Sequence, residues 1–181
     1  MAVIGQSVTA QKRGQARIDS LLIDLQQANV DSQKAKVLID LSFTYNSIDP
    51  EVGIKYGEQG LEIAKKLRCK KQLIEVYRAL GVNYGFGMSS FPEALSYFKK
   101  SLDLATATVD RTSAAKALNN MGVIYWYLSD FPKAVEHYYK AMQIHEQLGN
   151  EDEVAIALEN IGIVYNSQGD YAKALEFMVK G

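Results

Sequence analysis

Residues 118–141 read Leu118-Asn-Asn-Met-Gly-Val-Ile-Tyr-Trp-Tyr-Leu-Ser-Asp-Phe-Pro-Lys-Ala-Val-Glu-His-Tyr-Tyr-Lys-Ala141, which is two helical patterns on either side of a turn. Apolar residues recur at the i, i+3, i+4 and i+7 spacing of one helical face before and after the turn. Asp130 can accept a hydrogen bond from the free amides that start the second helix. Pro132 suits the first turn of that helix because its missing N–H costs little there. The stretch therefore predicts a helical hairpin.

The hairpin pattern occurs four times along the chain. It returns at residues 158–177, at residues 77–98 with one extra residue in the turn, and more faintly at residues 38–56 with one residue fewer. A small residue in each first helix marks the period, with spacings of 39, 41 and 40: Ser42, Gly81, Gly122 and Gly162. A period of this length is typical of stacked helical-repeat proteins.

The repeated pattern resembles the tetratricopeptide repeat, in the form with units of about 40 residues that adaptor proteins and bacterial signalling sensor segments contain. The third unit matches the family pattern through Leu118, Met121-Gly122, Tyr125, Ser129-Asp130-Phe131, Ala134, Tyr138 and Ala141. The first unit departs most, with Ser42 for the glycine of the first helix and Gly53 for the alanine of the second. The resemblance implies an all-α fold, a right-handed α-α superhelix of four helix-turn-helix repeats behind an N-terminal helix.

We expect a single repeat domain over residues 15–181, after a flexible segment at residues 1–14. Its predicted parts are a capping helix at 15–29 and repeats at 31–68, 70–108, 110–149 and 150–181. The last repeat is truncated or unfinished, since its second helix is much shorter than that of the third repeat. Leu175 and Met178 would then face water, which suggests either a fragment of a longer protein or self-association through this helix.

The glycines of the first helices need a packing reason, because an interior helix glycine costs ~1 kcal/mol relative to alanine. Close approach of the second helix supplies one. We expect Gly81, Gly122 and Gly162 to sit against Ala94, Ala134 and Ala174, with three tyrosines in the same register: Tyr84, Tyr125 and Tyr165. We also expect Asp31, Asp49, Asp110 and Asn150 to start helices.

Composition argues against several function classes. The chain of 181 residues is 48% hydrophobic and has a formal net charge of −1, which gives no electrostatic footprint for nucleic acid or an anionic membrane. His137 and His145 lie eight apart without a partner at zinc-ligand spacing, and there is no phosphate-binding glycine loop. Cys69 is the only cysteine and is interpreted as a linker residue. We expect no catalysis, cofactor or metal.

In the family that the sequence resembles, the concave groove lined by the first helices carries the binding site. Register places these residues there: Phe43, Asn46, Arg78, Val82, Phe86, Asn119, Asn120, Val123, Trp126, Tyr127, Glu159, Asn160, Ile163 and Asn166. Aromatic rings and amides suit an extended or helical peptide, and Trp126 is the expected anchor.

Structural roles are the alternative for several of these residues. Val82, Val123 and Ile163 could pack against the neighbouring repeat. Trp126 and Tyr127 could fill the core. Asn120 and Asn160 could bond within the array.

The clamp for C-terminal carboxylates that some family members use is not expected, because its places hold apolar residues such as Ile39, Phe43 and Ala79. The predicted function is a non-catalytic module for a protein or peptide partner, within a larger bacterial signalling protein. The alternatives are a stand-alone adaptor or self-associating scaffold and, less favoured, an RNA binder. The compartment is cytoplasmic if the chain is complete, or exported if residues 8–11 mark the start of a mature protein.

Overall fold

The computed structural model describes the backbone of residues 2–181 and the side chains of residues 14–181. Across residues 2–181 the structure contains helices and no β-strand, so the predicted all-α class is confirmed. The helices are α1 (Ala2–Gln27), α2 (Asp31–Tyr45), α3 (Pro50–Lys66), α4 (Lys70–Val82), a π-helix (Asn83–Gly87), α5 (Phe91–Ala107), α6 (Arg111–Tyr127), α7 (Phe131–Leu148), α8 (Glu151–Ser167) and α9 (Tyr171–Lys180).

The helices form two compact units, one ending at Tyr97 and the other covering Phe98–Gly181. In the first unit α2 packs against α1, α3 and α4, and α3 also packs against α4. In the second unit α6 packs against α7, α7 against α8, and α8 against α9. Each unit is thus built from consecutive helical hairpins. A single domain over 15–181 stays a prediction. The expected flexible segment at 1–14 also stays one, since the side chains of 1–13 lie outside the described residues.

Aspartates start four of the helices. The carboxylates of Asp49, Asp110, Asp130 and Asp170 each accept a hydrogen bond from the backbone N–H three residues later, at 3.1 to 3.3 Å. Asp31 is the first residue of α2 but does not cap it, because Val30 takes the cap position in an extended conformation. Asn150 occupies the cap position of α8 without a capping bond, because its amide lies 3.4 Å from His145 Nδ1.

A ring pair closes each hairpin. The tyrosine of each first helix contacts a ring of the following helix, although the two rings are 11, 13, 12 and 12 residues apart in the four repeats. The centroid distances are 5.5, 5.4, 4.9 and 5.4 Å for the pairs Tyr45–Tyr56, Tyr84–Tyr97, Tyr125–His137 and Tyr165–Phe177. The contact therefore survives one deletion and one insertion in the turns.

The insertion is accommodated by the π-helix at Asn83–Gly87, which the sequence pattern did not predict. The Met88 amide donates to the Asn83 carbonyl at 3.0 Å, which is the i→i+5 bond of a π-turn. The Ser90 amide then donates to the Tyr84 carbonyl at 2.7 Å. The wider turn takes up the extra residue of the second repeat and leaves Tyr84 stacked on Tyr97.

Asn83, at the start of the π-helix, is fully buried and joins the first two repeats. Its Nδ2 donates to the carbonyl oxygens of Ser42 and Ala79, each at 2.9 Å, and lies 3.2 Å from Ser42 Oγ. A Cβ on Gly53 would overlap Asn83 Oδ1. The two departures of the first repeat from the family pattern, Ser42 and Gly53, are thus the residues that accommodate Asn83.

The glycines of the third and fourth repeats also lie against larger groups of the next helix. A Cβ on Gly122 would come within 2.7 to 3.0 Å of three ring atoms of Tyr138, so this ring, rather than Ala134, is the closest neighbour. A Cβ on Gly162 would lie 3.0 Å from Met178 Cγ and 3.2 Å from the Ala174 carbonyl. Burial also raises the pKa of Tyr138 above its ordinary value.

Candidate functional site

A cavity of about 480 Å³ lies in the first unit, along α2 and α4. Two of the predicted groove residues, Phe43 and Arg78, line it. The cavity is within the volume range of ligand sites in proteins. Its other lining residues are Lys36, Ile39, Asp40, Cys69, Lys71, Gln72 and Glu75.

Arg78 is held in place from two sides. One terminal guanidinium nitrogen, Nη2, lies 2.6 Å from the carboxylate of Glu75, and both side chains are largely buried, at 20% and 30% exposed. The guanidinium carbon lies 4.4 Å from the ring centroid of Phe43, which is a cation–π contact. The Nε of Arg78 is buried and has no acceptor among the described residues. The cavity thus contains a pre-oriented cation with one unused donor.

Gln72 contributes an unused acceptor to the same cavity. Its Nε2 donates to the Ser32 carbonyl at 2.7 Å, which fixes the amide. Its Oε1 is buried without a donor in the described part of the chain. An unsatisfied buried polar atom of this kind costs about 1–3 kcal/mol.

The charges of the cavity are unbalanced. Three cations line it, Lys36, Lys71 and Arg78, against two carboxylates, Asp40 and Glu75. Burial raises the pKa of Asp40 above its ordinary value; the nearby positive charges of Lys36 and Arg17 oppose this effect, and Glu75 adds to it. Lys36 and Lys71 are exposed, and neither makes an ion pair with another side chain of residues 14–181.

The other predicted groove residues of the first unit lie outside this cavity. Asn46, Val82 and Phe86 are half-buried. Asn46 Oδ1 is buried without a partner among the described residues, as Gln72 Oε1 is. Sequence register therefore selected two of the nine residues that line the cavity.

In the second unit, Trp126 joins two consecutive first helices. Its indole N–H donates to Ser167 Oγ on α8 at 2.9 Å, and that hydroxyl donates to the Ile163 carbonyl at 2.9 Å. The indole also packs against a buried cluster that includes Tyr138 and Ile161. The polar atom of Trp126 thus already has a partner within the array, which favours the structural alternative for this residue over that of ligand anchor.

The asparagines of the second unit are connected in the same way. Asn160 Nδ2 donates to Asn119 Oδ1 at 3.1 Å, so α8 and α6 are linked a second time. Asn120 and Val123 are half-buried. The exposed predicted residues of this unit are Tyr127, Glu159, Ile163 and Asn166. These four present a surface in the second unit.

The residues predicted for packing are placed as follows. The small residues are buried: Gly81, Gly122, Gly162, Ala94, Ala134 and Ala174. The tyrosines are half-buried: Tyr84, Tyr125 and Tyr165. Leu175 and Met178 on α9 are 65% and 45% exposed, and self-association through them stays a prediction.

The bond between Trp126 and Ser167 can be tested with a double-mutant cycle. We expect Trp126→Phe and Ser167→Ala each to lower the free energy of unfolding by about 1 kcal/mol, and the double variant to lose much less than the sum. Urea unfolding followed by circular dichroism measures the four values. Additive losses would contradict a direct bond. Glu159→Ala, on the exposed side of α8, is the control and should change stability by less than about 0.5 kcal/mol.

The described residues contain neither a candidate metal site nor a helix that could span a membrane. No group of three histidine, cysteine, aspartate or glutamate side chains in this part of the chain is arranged to hold a metal ion. None of the helices described here combines the length and apolar character needed to cross a bilayer.

Comparison with known proteins identifies the repeat. Residues 113–180 match the family model of the tetratricopeptide repeat. No curated protein matches the chain. Among solved structures, a Rap protein complexed with competence and sporulation factor superposes with a TM-score of 0.84 at 21% identity. Aspartyl phosphate phosphatase F from Bacillus subtilis gives a TM-score of 0.80 at 20% identity.

A third similar structure is a signal transduction ATPase from Pyrococcus horikoshii with a tetratricopeptide repeat sensor, at a TM-score of 0.72 and 19% identity. The matches cover 98%, 93% and 94% of this chain, in the order given. The chain spans only 50%, 47% and 29% of those proteins. At these identities the likeness shows the fold.

Proposed function

The chain is a tetratricopeptide repeat protein, and from this premise we propose that it is a non-catalytic interaction module whose first unit binds an extended peptide segment of a partner protein. Tetratricopeptide repeats form scaffolds for protein interaction, so a protein or a peptide is the expected kind of ligand. The observation that carries the proposal is the cavity along α2 and α4, in which Phe43 and Glu75 hold Arg78.

The polar groups of the cavity favour an extended ligand over a helical one. Arg78 offers an unused donor, and Gln72 offers an unused acceptor. A helix satisfies its own backbone groups, whereas an extended segment keeps free N–H and C=O groups. An extended backbone can therefore pair with both side chains while its own side chains enter the cavity.

Selection from a library of displayed random peptides tests this proposal. We expect the chain to enrich peptides that bind it, and we expect Arg78→Met to weaken their binding by about tenfold or more, since a charge-assisted hydrogen bond contributes about 1.5–3 kcal/mol. The matched control is Arg111→Met, which removes an arginine that bonds Gln147 in the second unit. Fluorescence anisotropy with the enriched peptides measures the affinities.

The control variant should bind as the wild type does. Phe43→Leu removes the ring under Arg78 without changing the charge, and it should give a smaller loss than Arg78→Met. Circular dichroism establishes that each variant is folded. Enriched peptides that bind Arg78→Met as tightly as the wild type would place the site elsewhere.

We also propose that the chain is the regulatory segment of a larger signalling protein. The support for this role is the similarity to a structure described as a tetratricopeptide repeat sensor, of which this chain would span 29%. Reading the coding sequence beyond residue 181 tests it. An output domain in the same reading frame is the expected result, and a stop codon directly after Gly181 would contradict it.

A further inference from the structure

We propose that the first-unit cavity along α2 and α4 is the subsite for an acidic side chain of the bound peptide, and that Asp40 is the residue that limits the strength of this contact. The inference rests on the proposed function, because it names the chemistry of the ligand at the same site. The ligand group is the side chain of an aspartate or glutamate within the peptide.

Two of the three positively charged side chains that line the cavity have no ion-pair partner among residues 14–181. Glu75 is committed to Arg78 through the 2.6 Å ion pair. Lys36 and Lys71 line the cavity and make no ion pair within residues 14–181, so their ammonium groups are open to a ligand. An acidic side chain between them would also face the guanidinium of Arg78. Pairing with carboxylates is the usual role of such groups.

Asp40 is the lining carboxylate that makes no ion pair within residues 14–181, so its charge opposes an acidic ligand. Its carboxylate accepts no hydrogen bond from the side chains of residues 14–181, and burial already disfavours its charge. The charged groups that face it are Lys36 on its own helix, Arg17 on α1 and Glu75 on α4. A second carboxylate in this cavity would disfavour the charge of Asp40 further, so the two groups would repel each other.

A basic ligand is the competing possibility, with Asp40 as its partner. Lys36 and Lys71 would repel such a ligand, whereas the charges of Arg78 and Glu75 offset each other in their ion pair. The two possibilities predict opposite effects of removing the charge of Asp40. Asp40→Asn strengthens the binding of an acidic peptide and weakens the binding of a basic one.

Three labelled ten-residue peptides test the inference, with serine alternating with glutamate, with glutamine or with lysine. We expect the glutamate peptide to bind the full chain at least about tenfold more tightly than the other two at low salt, measured by fluorescence anisotropy. The glutamine peptide has the same length and backbone, so it reports the contribution of the main chain alone.

Variants of the chain assign the effect to the cavity. Asp40→Asn should tighten the glutamate peptide about threefold or more near pH 7, because it removes a negative charge from the cavity. Lys36→Gln and Lys71→Gln should each weaken it several-fold. Lys34→Gln is the matched control, because it removes the same charge from the same helix without altering the lining of this cavity.

Tighter binding of the lysine peptide, or weaker binding of the glutamate peptide by Asp40→Asn, would overturn the inference. So would the failure of all three peptides to bind. The displayed-peptide selection tests the proposed function separately. If the enriched peptides are neutral or basic and their binding depends on Arg78, the proposed function stands and the acidic subsite is wrong. If no displayed peptide depends on Arg78, both fail.

Discussion

Replacing Asn83 by aspartate is expected to destabilise the protein by about 4 kcal/mol near pH 7 and by much less near pH 4. The two side chains have nearly the same shape, but the aspartate oxygen would point at two carbonyl oxygens where Nδ2 now donates, those of Ser42 and Ala79. The carboxylate must therefore stay protonated in the folded protein.

The sign of the pH dependence follows from this requirement. The pKa of the new carboxyl is raised in the folded state above its value of about 3.9 in the unfolded chain. Stability is then retained below that unfolded value and falls as the pH rises. The folded protein must keep this carboxyl protonated at pH 7, about three pH units above the pKa of the unfolded chain. Each pH unit costs about 1.36 kcal/mol of stability.

Urea unfolding at several pH values, followed by circular dichroism, measures this effect. Asn166→Asp is the control, because Asn166 is exposed on α8 and the change there should cost less than about 0.5 kcal/mol at either pH. A loss for Asn83→Asp that is the same at both pH values would show that the amide does not donate to these carbonyls.

Gly122→Ala is expected to destabilise the second unit by about 1–3 kcal/mol, although alanine is the better helix former. The added methyl group would lie 2.7 to 3.0 Å from three atoms of the Tyr138 ring, which is itself buried. Neither the ring nor the helix backbone can move away without opening the core, so overlap outweighs the gain in helix propensity.

Gly60→Ala is the matched control for this variant. Gly60 is also a buried helix glycine, but a Cβ there would meet its neighbours at 3.4 to 3.6 Å, which is ordinary contact. That substitution should therefore stabilise the protein by about 1 kcal/mol. Adding Tyr138→Leu to Gly122→Ala should restore part of the lost stability in denaturant unfolding. Stabilisation by Gly122→Ala would contradict the close approach of the ring.

Local patterns predicted the hairpins well, because their causes are local. The end of one helix and the start of the next around Asp130 depend on residues within a few turns of one another, and so does the apolar spacing on either side. Departures from the family pattern also carry information about tertiary contacts. Ser42 and Gly53 break the family pattern, and the structure shows that both accommodate Asn83.

Contacts between repeats were harder to predict, since they depend on which residues lie next to one another on consecutive first helices. The bonds Ser42–Asn83, Asn119–Asn160 and Trp126–Ser167 all join residues 41 apart, close to one period of the repeat. The repeat spacing was therefore a signal that could have identified these pairs. Applied to Trp126, it would have suggested a partner in the next repeat.

The cavity could not be derived from register alone. Arg78 and Phe43 were selected, but Glu75 and Gln72 were not, because their roles depend on the side-chain conformations that Arg78 adopts between two partners. The charge balance of the cavity likewise depends on which ion pairs form. In a chain with a formal net charge of −1, composition gave no indication of a local excess of cations.

Alkylation of Cys69 tests the central claim, peptide binding in the first-unit cavity, most directly. Cys69 is the only cysteine of the chain, is half-buried and lines that cavity, so its reaction with iodoacetamide reports on this site alone. A saturating amount of an enriched peptide is expected to slow the reaction by about tenfold or more. At a lower peptide concentration, near the wild-type Kd, the peptide should slow the reaction of Arg78→Met much less, because this variant binds it about tenfold more weakly. An unchanged rate at saturation would show that the peptide binds outside the cavity and would contradict the proposed site.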